Sequence, residues 1–172
     1  EAGTDLGQIL TRKKNLETTK SLDGNLNKAL GCLSGGLYIV TAQEGTGADS
    51  RDGAMVASWV SQASFEPPGI TVAVAKDRAI ESLLQVNDNF VLNILQENNY
   101  LHLFRHFLKR FPPGANRFEG IELLNDLAPG GPVLSDALAY LSCKVIQRME
   151  TTDHWIIYSQ VEQGNLSNPQ LK

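Results

Sequence analysis

Apolar residues in this chain occur mainly in short runs of the length typical of buried β-strands. The runs, each rich in Val, Ile, Leu or Phe, cover residues 37–41, 70–75, 89–95, 138–147 and 154–161. A polar turn at 150–153 separates the last two and favours a hairpin, and a further short strand is expected within 120–127. The pattern predicts a mainly β domain, a small antiparallel β-barrel with flanking helices.

Two shorter stretches have helical spacing. The first covers residues 26–33 and is expected to end at Gly35-Gly36. Asp77 is expected to cap the second, whose apolar face comprises Ile80, Leu83 and Leu84. Polar loops are expected at 43–53 and 128–132, and a frayed tail at 165–172.

The strongest helical pattern lies at residues 98–111 and is ended by Pro112-Pro113-Gly114. Its apolar face is predicted to comprise Leu101, Phe104, Phe107, Leu108 and Phe111. Its opposite face carries His102, Arg105, His106, Lys109 and Arg110. No acidic residue occurs between Glu97 and Glu119, and Arg117 adds a cation, so this stretch is locally positive. His102 and His106 share a face, but the stretch offers no carboxylate partner, so no metal site is predicted.

The stretch from 54 to 76 contains the candidate chemistry. It is predicted to form two strands joined by a turn at Ser64-Phe65-Glu66-Pro67-Pro68, because proline lacks an N–H and stops a ladder. The first strand carries small side chains, at Ala54, Ala57, Ser58, Ser61, Ala63 and Ser64. Small residues let a flat ligand approach the main chain, whose N–H and C=O groups then bind it. The alternative is a Ser-rich edge strand with no ligand.

Composition narrows the function classes. A chain of 172 residues with 42% hydrophobic and 20% charged residues fits one globular domain. The net charge of −4 argues against non-specific nucleic-acid binding, and no apolar run is long enough to span a bilayer, so neither a nucleic acid nor a membrane is expected as a partner.

Cys32 and Cys143 are expected to be small buried hydrophobes. Residues 1–24 are predicted to be a linker or an N-terminal extension and 25–172 the domain, and we expect the chain to be part of a longer polypeptide.

Several motifs carry a resemblance to a known family. Ser64-Phe65-Glu66-Pro67-Pro68 resembles the Ser-x-x-Pro-Pro signature of the flavin reductase-like family, the FMN-binding split barrels. Further pieces follow in the family's order, at residues 89–93, 132–134, 139–143 and 153–154. The run from Leu30 to Arg110 is similar to the C-terminal flavin reductase-like module of the flavodiiron proteins of oxygenic phototrophs.

The resemblance implies a split barrel that forms a homodimer with flavin near the subunit interface. The implied function is that of an NAD(P)H:flavin oxidoreductase that uses FMN, or FAD, with NADH or NADPH as substrate. The electrons would pass to flavodoxin-like and diiron domains of the same polypeptide, which would reduce dioxygen, in the cytoplasm or the chloroplast stroma. The alternatives are a non-catalytic flavin-binding or assembly module and a split-barrel oxidase of another small molecule.

The resemblance also implies a set of site residues. The flavin-binding residues would be Ala57, Ser58, Trp59, Val60, Ser61, Ser64, Ala75, Lys76, Arg78 and Asn93. Lys76 and Arg78 would hold the phosphate, and Trp59 would cover the ring unless it is a buried structural residue. His154 would be the catalytic residue, unless it is a histidine hydrogen-bonded within the sheet, and Thr152 stands where the family pattern has Gly. The positive stretch would receive the phosphates of NAD(P)H or an acidic partner domain, or be a solvated helix face.

Overall fold

The computed structural model describes residues 24–45, 47, 50–97, 99–112, 114–124 and 128–167. The chain divides into two compact units, residues 1–34 and 35–172. In the first, helix α1 covers residues 24–30, close to the predicted helix but ending well before Gly35-Gly36. Cys32 follows it and is exposed, so its prediction as a buried residue is wrong. The predicted linker at 1–24 lies outside the described residues except for Gly24.

The second unit is built on one antiparallel sheet. Its strands are β1 (Tyr38–Glu44), β2 (Arg51–Ala57), β3 (Val60–Phe65), β4 (Pro68–Ala75), β5 (Asn89–Leu95), β8 (Ala137–Glu150) and β9 (His154–Leu166). They lie in the order β2-β1-β5-β8-β9-β4-β3. Two further strands, β6 (Leu123–Leu124) and β7 (Val133–Leu134), pair with each other. A 3₁₀ helix (Ala79–Leu83) and helix α2 (Leu101–Phe107) flank the sheet. The prediction of a mainly β barrel with flanking helices is confirmed.

The first strand of the 54–76 stretch is two strands, which corrects the prediction of one. β2 and β3 occupy opposite ends of the sheet order, yet only Ser58 and Trp59 separate them in the chain. The sheet must therefore curl until its two edges meet at this dipeptide. The Ala73 N–H donates a hydrogen bond to the Trp59 carbonyl at 3.0 Å and ties the crossing to β4. We call this crossing the seam.

Strands β1 and β5 are covered on both faces, which explains why they read as continuous apolar runs. In β1, Val40 joins the main core, whereas its neighbour Ile39 packs with Leu103 of α2. In β5, Phe90 and Leu92 likewise enter the main core. Each such side chain, at 1% exposure or less, contributes about 1.5–3 kcal/mol through burial.

Helix α2 is shorter than predicted, and its buried face differs. Leu103 and Phe107 face the core, whereas Leu101 and Leu108 are exposed, so the predicted apolar face is correct at Phe107 and wrong at Leu101 and Leu108. With only two turns, the helix can cover the sheet with a single i, i+4 pair. The prediction that Asp77 caps a helix is also wrong, because Arg78 holds the N-cap position of the 3₁₀ helix without a side-chain cap.

The remaining boundaries differ slightly from the predictions. Pro67 lies in the turn after a cis peptide bond, but Pro68 opens β4 and pairs with Phe65. The first residue of a strand is a position where proline is tolerated. The 150–153 hairpin turn is confirmed. β9 continues to Leu166, so the predicted tail is wrong there, and residues 168–172 lie outside the described part.

Candidate functional site

A cleft of about 250 Å³ opens at the seam, and we call it the seam cleft. Its lining residues come from β2, the seam, β4, the N-cap of the 3₁₀ helix and the start of β9: Met55, Val56, Ala57, Ser58, Trp59, Ala73, Ala75, Arg78 and His154. Ala57, Ala73 and Ala75 leave the backbone close to the cleft because their side chains end at Cβ. The barrel closure thus brings together six of the eleven predicted site residues, namely Ala57, Ser58, Trp59, Ala75, Arg78 and His154.

The main chain at the seam is available to a ligand. Ser58 and Trp59 lie outside the paired positions of both adjoining strands, so their polar groups, apart from the Trp59 carbonyl that accepts from the Ala73 N–H, are not committed to strand pairing. A Cβ at Gly35 would lie 2.6 Å from the Ser58 carbonyl oxygen, so glycine is required there for the backbones to approach. Small side chains and uncommitted backbone groups together fit a flat heteroaromatic ring such as isoalloxazine.

Two aromatic rings stand at one side of the seam cleft. Trp59 is 65% exposed, so the prediction that it covers a ligand fits the structure better than a buried structural role. Its ring centroid lies 5.0 Å from that of His154, with the planes tilted by 38°. This pair places a polar imidazole and a broad apolar surface beside the same opening.

A neighbouring carboxylate orients His154. Its Nδ1 lies 2.8 Å from Asp153 Oδ1, and this hydrogen bond lowers the pKa of the Asp153 carboxyl. An ionised carboxylate only accepts, so the contact assigns the proton to Nδ1 and leaves Nε2 for a ligand. The adjacent turn is fixed by Thr151, whose N–H and hydroxyl both donate to the His154 carbonyl, at 2.9 and 2.8 Å.

Thr152 fits this turn without backbone strain. Among the described non-glycine residues, Asn87 is the one with a positive φ. Thr152 therefore does not adopt the left-handed conformation that favours glycine. The Lys76 N–H donates to the Asp153 carbonyl at 3.0 Å and anchors the turn to the end of β4. The β-branched residue in place of the family's Gly is exposed and lies outside the lining of the seam cleft.

The two predicted phosphate cations are in different situations. Arg78 lines the seam cleft and takes part in none of the ion pairs within the described residues. Lys76 Nζ lies 2.7 Å from Glu150 Oε1 and 3.4 Å from the Thr152 carbonyl oxygen. It also lies 5.5 Å from the centre of the Trp155 ring. The structure therefore brings Arg78, but not Lys76, to the cleft.

Other predicted site residues lie elsewhere. Asn93 is fully buried; its amide donates to Ile39 O and Thr41 Oγ1 and accepts from Leu134 N–H, so it is structural and does not face the seam cleft. The Ser64 hydroxyl, at the far end of β3, donates to the Pro67 carbonyl and lies 3.1 Å from the Tyr158 hydroxyl.

Val60 and Ser61 line a separate apolar groove of about 350 Å³. The other residues that line this apolar groove are Tyr38, Gln62, Pro68, Gly69, Ile70, Leu92, Ile94, Leu141 and Val161. The sequence reasoning missed Met55, Val56 and Ala73 as lining residues of the seam cleft. Ala73 could have been predicted, because side chains alternate between the two faces of a strand and Ala73 is two residues from Ala75 in β4.

A second, larger recess adjoins the seam cleft. This basic recess, of about 580 Å³, is lined by Ala54, Met55, Val56, Asp77, Arg78, Ala79, Ile80, Phe107, Leu108, Lys109, Arg110, Phe111 and Arg117. It shares Met55, Val56 and Arg78 with the seam cleft. Lys109, Arg110 and Arg117 of the predicted positive stretch therefore line a recess that adjoins the predicted flavin site.

The two histidines of that stretch have separate partners. His102 Nε2 lies 2.8 Å from Asp136 Oδ2, and His106 Nε2 lies 2.8 Å from the Arg117 carbonyl oxygen. Across the described residues, no three His, Cys, Asp or Glu side chains are grouped so as to hold a metal ion. None of the helices in that part of the chain has both the length and the apolar character needed to cross a membrane.

The family model for the flavin reductase like domain matches residues 30–172. The chain belongs to this family. The sequence is 62% identical over 167 residues to diflavin flavoprotein A 1 of Synechocystis sp. strain PCC 6803, a match that covers 97% of this chain and 28% of the relative. It is 58% identical to putative diflavin flavoprotein A 3 of Nostoc sp. strain PCC 7120, with the same coverage. This flavin reductase-like domain thus spans less than a third of these cyanobacterial relatives, and the predicted resemblance is confirmed.

Solved structures support the fold. An NADH:FAD oxidoreductase of Streptomyces globisporus C-1027 superposes with a TM-score of 0.71 at 26% identity, covering 82% of this chain and 80% of the other. The styrene monooxygenase flavin reductase of Pseudomonas putida S12 has a TM-score of 0.69 at 20% identity, covering 86% and 88% of the two chains. The second likeness concerns the fold alone. Both neighbours agree with a flavin reductase split barrel.

Proposed function

We propose that this domain is an NAD(P)H:flavin oxidoreductase module that binds FMN or FAD at the seam cleft. The observation that carries the proposal is the gathering of Ser58, Trp59, Arg78 and His154 around one cleft with small walls. Family membership and the 26%-identical NADH:FAD oxidoreductase support it. A flavin held there would supply the ring that accepts a hydride and a proton, and the nicotinamide nucleotide would be the hydride donor.

Each residue has a role in this proposal that follows from its position. Ser58 and Trp59 offer main-chain groups to the polar edge of the ring, and the Trp59 indole shields one side of it from water. Arg78, which has no carboxylate partner among the described residues, binds a phosphate. His154 holds a proton on Nδ1 through Asp153 and presents Nε2 to the ring that lies beside it.

In the longer protein, we propose that the electrons pass to flavodoxin-like and diiron domains that reduce dioxygen, in the cytoplasm. The names of the diflavin relatives and the 28% coverage support a multidomain context. We also propose a homodimer. The apolar groove supports this, because Tyr38, Ile70 and Leu141 line a surface concavity that a second copy would cover.

A non-catalytic flavin-binding or assembly module is the second candidate. The observation that favours it is the ion pair of Lys76 with Glu150, which leaves Arg78 as the only predicted phosphate cation at the seam cleft. Weak flavin binding would follow from this arrangement.

Anaerobic reduction separates the two candidates. The domain is mixed with FMN or FAD, then with NADH or NADPH, and the flavin absorption band is followed without oxygen. The oxidoreductase proposal predicts bleaching with at least one nucleotide, and slower bleaching in His154→Ala. The matched control is His102→Ala, which removes another carboxylate-paired histidine away from the seam cleft and should leave the rate unchanged. Bound flavin that no nucleotide bleaches would favour the non-catalytic module.

A further inference from the structure

Arg148, near the end of β8, carries a cation that is almost withdrawn from water. Its side chain is 8% exposed and forms an ion pair with Glu81 of the 3₁₀ helix, whose side chain is 24% exposed. Each of the other four ion pairs within the described residues has a partner that is at least 46% exposed. The Arg148–Glu81 pair is therefore the least solvated of these ion pairs.

Such a pair contributes orientation more than stability. Loss of hydration offsets most of the attraction between two buried charges. Arg148 Nε is also buried and has no hydrogen-bond partner among the described residues. What the pair does is hold two elements together, because a charge-assisted contact fixes both of its partners in one geometry.

The guanidinium of Arg148 also lies against the ring of Trp155. Its central carbon is 4.3 Å from the centre of that ring, within the range of a cation–π contact. Arg148 pairs with Ile157 across β8 and β9, and Trp155 lies two residues before Ile157, so Arg148 and Trp155 share a face of the sheet. His154 comes directly before Trp155 and points to the other face, where the seam cleft lies. A contact that holds Trp155 therefore also restrains the backbone that carries His154.

The other partner of Arg148 leads to the phosphate side of the seam cleft. Glu81 lies in the first turn of the 3₁₀ helix, and Arg78 holds the N-cap position of that helix. The Glu81 N–H donates to the Arg78 carbonyl oxygen at 2.9 Å. A 3₁₀ helix this short has poor hydrogen-bond geometry of its own. The ion pair with Arg148 thus ties the turn that presents Arg78 to the hairpin that presents His154.

We propose that Arg148 is a positioning residue that keeps Arg78 and His154 at a fixed separation across the seam cleft. Neither Arg148 nor Glu81 lines the cleft, so Arg148 acts through these two residues without touching a ligand. The inference rests on the proposed function, in which Arg78 binds the flavin phosphate and His154 lies beside the ring. A flavin held at both ends is aligned for hydride transfer when those ends keep their separation.

The test variant is Arg148→Met/Glu81→Leu, which removes both charges and leaves no buried charge unpaired. We expect the Kd for FMN to rise by about fivefold and the Kd for riboflavin to change by less than about twofold, because only FMN has a phosphate that depends on the placement of Arg78. Fluorescence titration measures both. Reduction of bound FMN without oxygen should also be slower. The control is Glu44→Gln, which breaks the exposed ion pair with Arg51 and should change none of these values.

A double-mutant cycle with Arg78→Ala tests whether the pair acts through Arg78. Added to Arg78→Ala, the Arg148→Met/Glu81→Leu change should cause no further loss of FMN affinity. If that double variant folds poorly, Arg148→Lys gives the same comparison with a smaller loss, since lysine keeps the charge without the planar guanidinium.

Three results would overturn the inference and leave the proposed function standing. These are an unchanged Kd for FMN, equal losses for FMN and riboflavin, and a further loss of FMN affinity in the Arg78→Ala background. A wild-type domain that binds neither flavin contradicts the proposed function instead.

Discussion

At the scale of single residues, the two cations predicted for the flavin phosphate differ in what they already contact. Lys76 is bound to Glu150, which lies 74 positions away and reaches it through the pairing of β4, β9 and β8. Asn93 is similar, since its three hydrogen-bond partners come from distant segments. Residue type alone predicts that a side chain can bind a ligand. Only the tertiary structure shows whether that side chain already forms an ion pair or hydrogen bonds with other residues of the protein.

Arg78→Ala is therefore expected to weaken FMN binding by about tenfold, because the phosphate loses a charge-assisted hydrogen bond. Riboflavin, which has no phosphate, should bind almost as before. Lys76→Ala is the control and should change FMN affinity by less than about twofold, since its ammonium pairs with Glu150. Fluorescence titration measures both. Equal losses for FMN and riboflavin in Arg78→Ala would show that the arginine does not bind the phosphate.

The contact between Asp153 and His154 has a pH signature. The pKa of Asp153 is lowered in the folded protein, chiefly by the hydrogen bond to His154. Its stabilising contribution is therefore present above the ordinary carboxyl pKa and lost as pH falls through the lowered value. We expect Asp153→Asn to have a lower Tm than wild type at neutral pH, with the gap closing in acid. A gap that is constant across this range would mean that the carboxylate does not stabilise the histidine.

At the scale of elements, the apolar runs predicted most strands, and the pattern is clearest in β1 and β5, which are buried on both faces. The division of β2 from β3 left no comparable signal. Ser58 and Trp59 continue a run of residues that a strand accepts, and no Gly or Pro interrupts it. The break results from closure of the barrel, which sends one chain segment to both edges of the sheet. The seam cleft exists because of this break.

Gly35→Ala tests how the seam is built. The new Cβ would lie 2.6 Å from the Ser58 carbonyl oxygen, a backbone atom that has little freedom to move. We expect a loss of about 1–3 kcal/mol in the free energy of unfolding, measured with urea, and weaker flavin binding. Gly24→Ala is the control, because within the described part of the chain nothing beyond its neighbours and its own helix backbone lies within 4 Å of the added Cβ. A Gly35→Ala domain as stable as wild type would show that the backbones are not in close contact there.

At the scale of the whole molecule, the sequence predicted the fold class but not the form of the site. Ala57, Ser58, Trp59, Ala75, Arg78 and His154 line one cleft, as predicted together. Ser61 and Val60 belong to the apolar groove instead. They follow the seam directly, so their assignment depended on which way the chain turned. The curvature of the sheet decides this, and curvature arises from contacts between strands that are distant in sequence.

A crystal structure of the domain grown with FMN tests the flavin site most directly. We predict that the isoalloxazine ring lies in the seam cleft, against the main chain of Ser58 and Trp59, with the phosphate at Arg78 and the His154 side chain beside the ring. A ring bound elsewhere, or a seam cleft filled by the protein's own side chains in every copy, would contradict the proposed site.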